Sequence, residues 1–307
     1  MKIGFIIKKI IVNTYNTIYW LLHFREQYIV INATCCIIGK KVIKTNFGDD
    51  LNLFLIREMT GVDYIINQSD IFIKFKQNLV PLGSIIEWKT RKNSVIWGAG
   101  AMYGDENREL PCPIKVCAVR GKLTYNYLRE KGWDVPAVFG DPALLLPKYY
   151  QPSRELKKEN KVGIIPHYID QMSVSYKNFY ERYKSELEFI DLKDYDTWHN
   201  VIDKITSCKF IISSSLHGLI VADAYGIPNI WVKFGDNIAG GDFKYHDYFS
   251  SVGKNIDKPC QITANTTLSD ILEEIKSWKP IDIDLHGLID AFPNHGLKNF
   301  SSVCCKN

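Results

Sequence analysis

Short apolar runs alternate with stretches of helical periodicity along almost the whole chain. Six runs read as strands: YIVIN (28–32), SVIWG (94–98), VCAVR (116–120), KVGIIP (161–166), FIIS (210–213) and NIWV (229–232). They are continuously apolar rather than alternating, the pattern of parallel strands covered on both faces. Helices are predicted over 49–59, 122–131, 196–206, 216–225 and 267–278. Gly61, Gly132 and Gly226 close three of them with the left-handed residue a helix end often needs, and Pro280 closes the last. Strand and helix in regular alternation predict an α/β fold. The stretch PKYYQPSRELKKEN (147–160) has two prolines, a charge run and little apolar content, and reads as a linker. It divides the chain into one α/β domain over 1–150 and a second over 160–284. Tandem domains of this class place the ligand crevice at the carboxyl ends of their strands, in the cleft between them.

The first 24 residues, MKIGFIIKKIIVNTYNTIYWLLHF, break this pattern. Lys8-Lys9 and the polar run at 13–16 interrupt the apolar residues, and no small-residue cleavage site follows, so a signal peptide is not expected. No stretch reaches the length of a membrane span, about 20 apolar residues. Two readings remain: a buried strand or helix of the first domain, or a segment lying on a membrane surface, with Lys8, Lys9 and Trp20 at the interface.

Composition narrows the classes. The chain has 307 residues, 46% hydrophobic and 23% charged, which suits one or two ordinary cores. A net charge of +4 without a Lys/Arg block argues against a nucleic-acid partner. Eight cysteines without a CxxC pair suit neither a zinc site nor a disulfide framework. A reducing, cytoplasmic compartment follows.

The candidate chemistry lies at strand ends. In KFIISSSLHGLIVADAYGIP (209–228), Ser213, Ser214 and Ser215 lead into a helix, with Leu216, His217 and Gly218 in its first turn. The first N–H groups of a helix lack internal partners and favour an anion. A serine there is equally a good N-cap. His167, in GIIPHYID, follows a strand and is either a cleft residue or a turn residue. Asn46, Gly48, Asp49 and Asp50 precede a helix, where an aspartate either caps it or lines the cleft; Gly48 permits close approach of a ligand. Gly98, Gly100 and Gly104 follow a strand, but Tyr103 and Arg120 stand where a dinucleotide fingerprint needs a glycine and an acid, which excludes a nicotinamide cofactor. A glycine loop over another ligand stays open. Arg120 ends a strand and suits a carboxylate or phosphate, or else an ion pair with Asp141.

Taken in order, NFGDDLN, VIWGAG, AVRGKLT, GDPALLLP, GIIPHYID, ISSSLHGLIVADAYGIP and DFKYHDYFSSVG resemble the polysaccharide pyruvyl transferases, from about 44 to 253. The resemblance implies two Rossmann-like domains facing across a cleft in a GT-B-like arrangement, with 285–307 packing back on the first. It implies transfer of the enolpyruvyl unit of phosphoenolpyruvate to two hydroxyls of a sugar, giving a pyruvate ketal and phosphate, without a further cofactor or metal. By the resemblance His217 is the general acid and His167 a phosphate contact or second acid/base. Arg120, Ser213, Ser214, Ser215, Leu216 and Gly218 would hold the donor. Asn46, Gly48, Asp49, Asp50, Gly98, Gly100, Asp141 and Lys244 would line the cleft. Some members carry Arg-Leu-His where this chain has Ser215-Leu216-His217. The missing arginine is replaced by Ser215 with the helix N–H groups, by Lys233 or by Lys244. The acceptor would be a glycan or a lipid-linked sugar, the latter placing the protein at the inner membrane face. The alternatives are a GT-B glycosyltransferase using a nucleotide sugar and a non-catalytic sugar- or anion-binding protein.

Overall fold

The computed structural model describes residues 2–153 and 161–293. Part of the expected linker (154–160) and the last stretch of the C-terminal segment (294–307) lie outside the described residues. Two five-stranded parallel sheets organise the chain. The first contains β1 (Tyr28–Ile31), β4 (Tyr64–Asn67), β5 (Asn78–Val80), β6 (Ser94–Trp97) and β7 (Lys115–Ala118), in the order β4-β1-β5-β6-β7; a small hairpin, β2 (Cys36–Ile38) and β3 (Lys41–Ile43), follows β1. The second contains β8 (Val162–Ile165), β9 (Leu187–Phe189), β10 (Ile211–Ser213), β11 (Asn229–Lys233) and β12 (Cys260–Gln261), in the order β12-β11-β10-β8-β9.

Counted within each sheet, both orders are 2-1-3-4-5, so each half is a Rossmann-like unit of the same winding. The chain reverses direction across the sheet between β1 and β5 in one half and between β8 and β10 in the other. In such sheets a ligand crevice opens at that switch point, beyond the carboxyl ends of the strands. His167 follows β8, and the three serines begin at the last residue of β10, so both flank the second switch point.

The helices are α1 (Lys2–His23), α2 (Phe47–Thr60), α3 (Ile86–Lys89), α4 (Lys122–Glu130), α5 (Leu146–Tyr149), α6 (Val174–Tyr183), α7 (Trp198–Ser207), α8 (Leu216–Ala224), α9 (Phe243–Ser251), α10 (Leu268–Ile275) and α11 (His286–Asp290). The five helices expected from periodicity are present with ends shifted by a few residues. Gly61 closes α2 at φ 68° and returns its N–H to Arg57 O. Strands β2, β3, β4, β5, β9 and β12 were not anticipated; most span only two to four residues and give no sustained apolar run.

One apolar core runs through both halves: Leu51 and Leu55 of α2 belong to the same cluster as Val201 and Ile202 of α7 and Leu219 of α8. Phe54 and Trp198 stack across the seam with centroids 5.9 Å apart. Polar ties reinforce it, from Phe47 N to Leu192 O at 2.6 Å and from Lys44 Nζ to Tyr195 O at 2.9 Å. The C-terminal segment packs on the first sheet, with Trp97 donating to Leu288 O at 2.8 Å and meeting Phe292 edge-on.

The N-terminus corrects one expectation. Residues 2–23 form a helix, but its outward side chains are exposed rather than buried. No helix among the described residues is long and apolar enough to cross a membrane.

Candidate active site

Two glycines mark close approaches between the halves, Gly121 against Asp247 and Gly48 against His217. Gly48, in the first turn of α2, lies against the ring of His217, in the first turn of α8; a Cβ at position 48 would sit 2.1 Å from His217 Nδ1. No ordinary side chain fits there. Gly48 therefore serves a histidine rather than, as expected, a ligand. His217 is half-buried, and its Nε2 is sealed without a hydrogen-bond partner among the described residues. Burial chiefly, then the charges of Arg120 and Lys244, lower its pKa to about 3. It is neutral at neutral pH, and a buried nitrogen left without a partner is uncommon in a folded protein.

His167 sits across the same crevice. Ser214 Oγ accepts from its backbone N–H at 2.9 Å, and its Nδ1 accepts from Ile169 N at 3.3 Å. The neutral ring therefore carries its proton on Nε2 and can donate there. Burial, with Lys244 nearby, lowers its pKa to about 4. For both histidines the folded state favours the neutral form. The stability this gives is complete above about 6.5 and is lost as pH falls toward 4 and 3.

The serines divide the work. Ser213 Oγ is spent on the chain itself, donating to Ile165 O and Ser215 O and accepting from Ser215 N, so it shapes the turn rather than holding donor. Ser214 orients His167. Ser215 is the N-cap of α8 but makes no side-chain cap bond, and the N–H groups of residues 216–218 find no partner among the described residues. Unpartnered N–H groups at a helix start favour an anion. Leu216 contributes that N–H while its side chain is core. Gly218 lets α8 press on Ser213 Oγ and Ile165, where a Cβ would come within 2.4 Å.

Arg120 is not the open cation that was expected. It is fully buried, and its Nε bonds Asp247 Oδ2 at 2.8 Å, its Nη2 bonds Ala101 O at 2.7 Å and its Nη1 bonds Ser84 Oγ. The partner is Asp247 of α9, not Asp141. Asp141 instead caps the turn Pro142–Leu145 by accepting from Ala143 N, and burial raises its pKa to about 6. The glycines of the 98–104 loop are likewise filled by protein. Gly98, at φ 84°, abuts Pro142, and Gly100 receives the guanidinium of Arg120.

Of the two lysines that might replace the missing arginine, Lys233 is already paired, to Asp236 at 2.9 Å and Asp242 at 3.4 Å. Lys244 makes no hydrogen bond or ion pair among the described residues; its Nζ lies 5.3 Å from the centroid of the Tyr245 ring, and only 6% of the residue is exposed. Burial first, then Arg120, lowers its pKa to about 8, while Asp49 and Asp170 oppose the shift. A buried lysine without a carboxylate partner costs stability.

The acidic pair before α2 also divides. Asn46 is the cap, accepting from Gly48 N at 3.0 Å. Asp50 is buried and accepts from Thr45 N, Asn46 N and Tyr195 Oη, which ties the loop to the second half and removes it from the cleft. Asp49, half-buried, bonds only Thr34 Oγ1 and faces the charge of Lys244.

Two residues went unnoticed in the sequence. Asp247 lies three positions after Lys244 on α9, the spacing that puts both on one helix face. Asp170 lies three after His167 and keeps Oδ2 buried and unpartnered. Asp247 holds the halves together, because it also accepts from Thr124 N and Thr124 Oγ1 of α4 at 2.7 Å each. Asp247→Ala is expected to cost about 3–5 kcal/mol, since it strands the Arg120 charge in the core. Urea melts test this; a loss under about 1 kcal/mol would show that the pair is dispensable.

This constellation joins strand ends from both halves around one neutral histidine, one unpaired lysine and one open helix start. The family model for polysaccharide pyruvyl transferase matches residues 7–235. The chain belongs to the polysaccharide pyruvyl transferase family. Among relatives of this pyruvyl transferase family member, an uncharacterized protein of Acanthamoeba polyphaga mimivirus, L143, is 31% identical over 244 residues, 78% of this chain and 82% of its own. The succinoglycan biosynthesis protein ExoV of Rhizobium meliloti is 24% identical over 250 residues, 76% of this chain and 69% of its own. A solved structure of an uncharacterized Klebsiella pneumoniae protein covers 86% of this chain and 98% of its own at 15% identity, with a TM-score of 0.45.

Proposed function

We propose that the protein transfers the enolpyruvyl group of phosphoenolpyruvate to two hydroxyls of one sugar in a polysaccharide or lipid-linked precursor, giving a pyruvate ketal and phosphate. The observation that carries the reading is the unpartnered Nε2 of His217 beside Lys244 and an uncapped helix start. The donor's phosphate and carboxylate need fixed N–H groups and a cation, which residues 216–218 and Lys244 would supply. Its C3 must be protonated before C2 becomes electrophilic, and His217 is the group to do it. The histidine is neutral in the free protein, and a bound dianion raises its pKa, so donor binding charges the acid. One sugar hydroxyl then adds to C2. Phosphate leaves, and the second hydroxyl closes the ketal. One hydroxyl proton restores His217 and the other departs with the phosphate. His167, donating from Nε2, suits a phosphate contact. Beyond it a cavity of about 640 Å³ is lined by Tyr168, Gln171, Met172, Lys193 and Asn237. Its exposed aromatic and amide groups suit a sugar ring. Two Rossmann-like units with the site at their seam also suit a GT-B-like arrangement.

Calorimetric titration with phosphoenolpyruvate at neutral pH, in buffers of different ionisation enthalpy, tests the acid. Wild type is expected to take up protons on binding, and His217→Gln to bind with markedly less uptake. Equal uptake in both removes His217 from the role. Stabilisation by a nucleotide sugar but not by phosphoenolpyruvate would replace the donor altogether.

A further inference from the structure

Helix α1 is built inside out. At about 100° per residue, Ile7, Ile10, Ile11, Thr14, Tyr15, Ile18, Leu21 and Leu22 share one arc of about 140°. That arc faces away from the protein; Ile11 is 62% and Leu22 75% exposed. The inward face carries the polar residues. Asn16 is buried, donates to Ile37 O and Asp70 O and accepts from Gly39 N, each at 2.8 Å. Trp20 and Tyr19 complete that face against Phe75, Tyr28 and Tyr64. A surface helix normally turns these faces the other way.

The patch continues beyond the helix. Phe72 N–H bonds Thr17 Oγ1 at 3.2 Å, which sets an aromatic side chain, 53% exposed, beside α1. Its rim is basic. Lys8 borders the arc, and Arg25, Lys74 and Lys76 are exposed, whereas Lys9 turns to the opposite face, where its charge bears on Asp70; the first acidic residue of the chain is Glu26. An apolar strip about 24 Å long with a cationic border matches an anionic bilayer surface, where the strip enters the headgroup region and the lysines meet phosphates. The helix also points the right way. Trp20 lies by Tyr28 at the start of β1, whereas Asn16 bonds residues past the ends of β1 and β4. The strip therefore runs toward the sheet edge from which the active site is built.

We infer that α1 and Phe72 dock this protein, lying in the plane of the interface, onto an anionic lipid surface. The inference is independent of the reaction proposed above. Flotation of the full chain with phosphatidylcholine vesicles, and with equimolar phosphatidylcholine–phosphatidylglycerol vesicles, tests it. Binding is expected to be at least about tenfold tighter to the anionic vesicles and to weaken with salt. The double variant Ile11→Glu/Ile18→Glu alters only exposed positions and is expected to lose at least about tenfold with its Tm unchanged. Lys8→Gln/Lys74→Gln is expected to lose the preference for phosphatidylglycerol while remaining folded. Absence of flotation with either vesicle, or wild-type binding by Ile11→Glu/Ile18→Glu, overturns the inference. A wild-type dimer that this variant converts to monomer, without vesicle binding, assigns the strip to a second copy of the chain and also overturns it.

Discussion

Gly48→Ala is expected to leave the protein folded and to lower pyruvyl transfer by about 10²–10⁴-fold, the usual worth of a general acid. Gly48 has helical geometry without a positive φ, so alanine is locally favoured there by up to about 1 kcal/mol. The only obstacle is the His217 ring, whose Nδ1, Cγ and Cε1 would all lie within 2.8 Å of the new methyl group. A side chain yields more readily than two helix backbones, so the imidazole swings away while the fold persists. The double variant separates this cause from a general disturbance. In a His217→Ala background, Gly48→Ala should have little further effect, because the group it displaces is already gone. Steady-state assays of ketal formation decide it. Full activity in Gly48→Ala, or an undiminished effect in the double variant, would disconnect Gly48 from the acid.

Lys244→Met is expected to act in opposite directions on stability and on binding. The folded pKa of Lys244, about 8, lies below its ordinary value of 10.5. The charged form is therefore a burden on the fold below about pH 8, and the burden fades as pH rises from 8 to 10.5. Methionine keeps the length of the side chain without the charge, and the variant should gain about 2 kcal/mol at neutral pH. The same change removes the one cation left unpaired beside the open start of α8. Phosphoenolpyruvate affinity should fall by about ten- to a hundredfold, the value of a charge-assisted hydrogen bond. Thermal melts with and without phosphoenolpyruvate read both effects. A variant that is neither stabilised nor impaired in binding would remove Lys244 from the donor site.

Gains in stability at the cost of binding identify a functional group more sharply than loss of activity alone. Arg120 and Asp247 provide the contrast. Their pair is complete within the protein, and breaking it is expected to harm the fold first. The cation spent on structure and the cation left for substrate look alike in sequence. They differ in whether a carboxylate lies within hydrogen-bond distance.

The two Rossmann-like units were legible because their longer strands are uninterrupted apolar runs and their helices end at glycines. These are local signals, written within about fifteen residues of one another. The short strands escaped notice because two to four residues are too few to carry a period. The N-terminal segment was ambiguous for a different reason. Its composition suits burial and a lipid surface equally, and only the position of Asn16 decides which face turns outward.

At the site, sequence by itself determined the residue types and the element ends that carry them: His217 after the serines, His167 after β8, and Gly48 at the start of α2. The pairing was decided only in three dimensions. Gly48 meets His217 from 169 positions away, and Asp247 meets Arg120 from 127 positions away. Local pattern specifies an element and the direction of its strand end. Which charge is neutralised, and which remains for a ligand, depends on contacts between elements distant in sequence. Those contacts are set by how the two sheets pack through their common core.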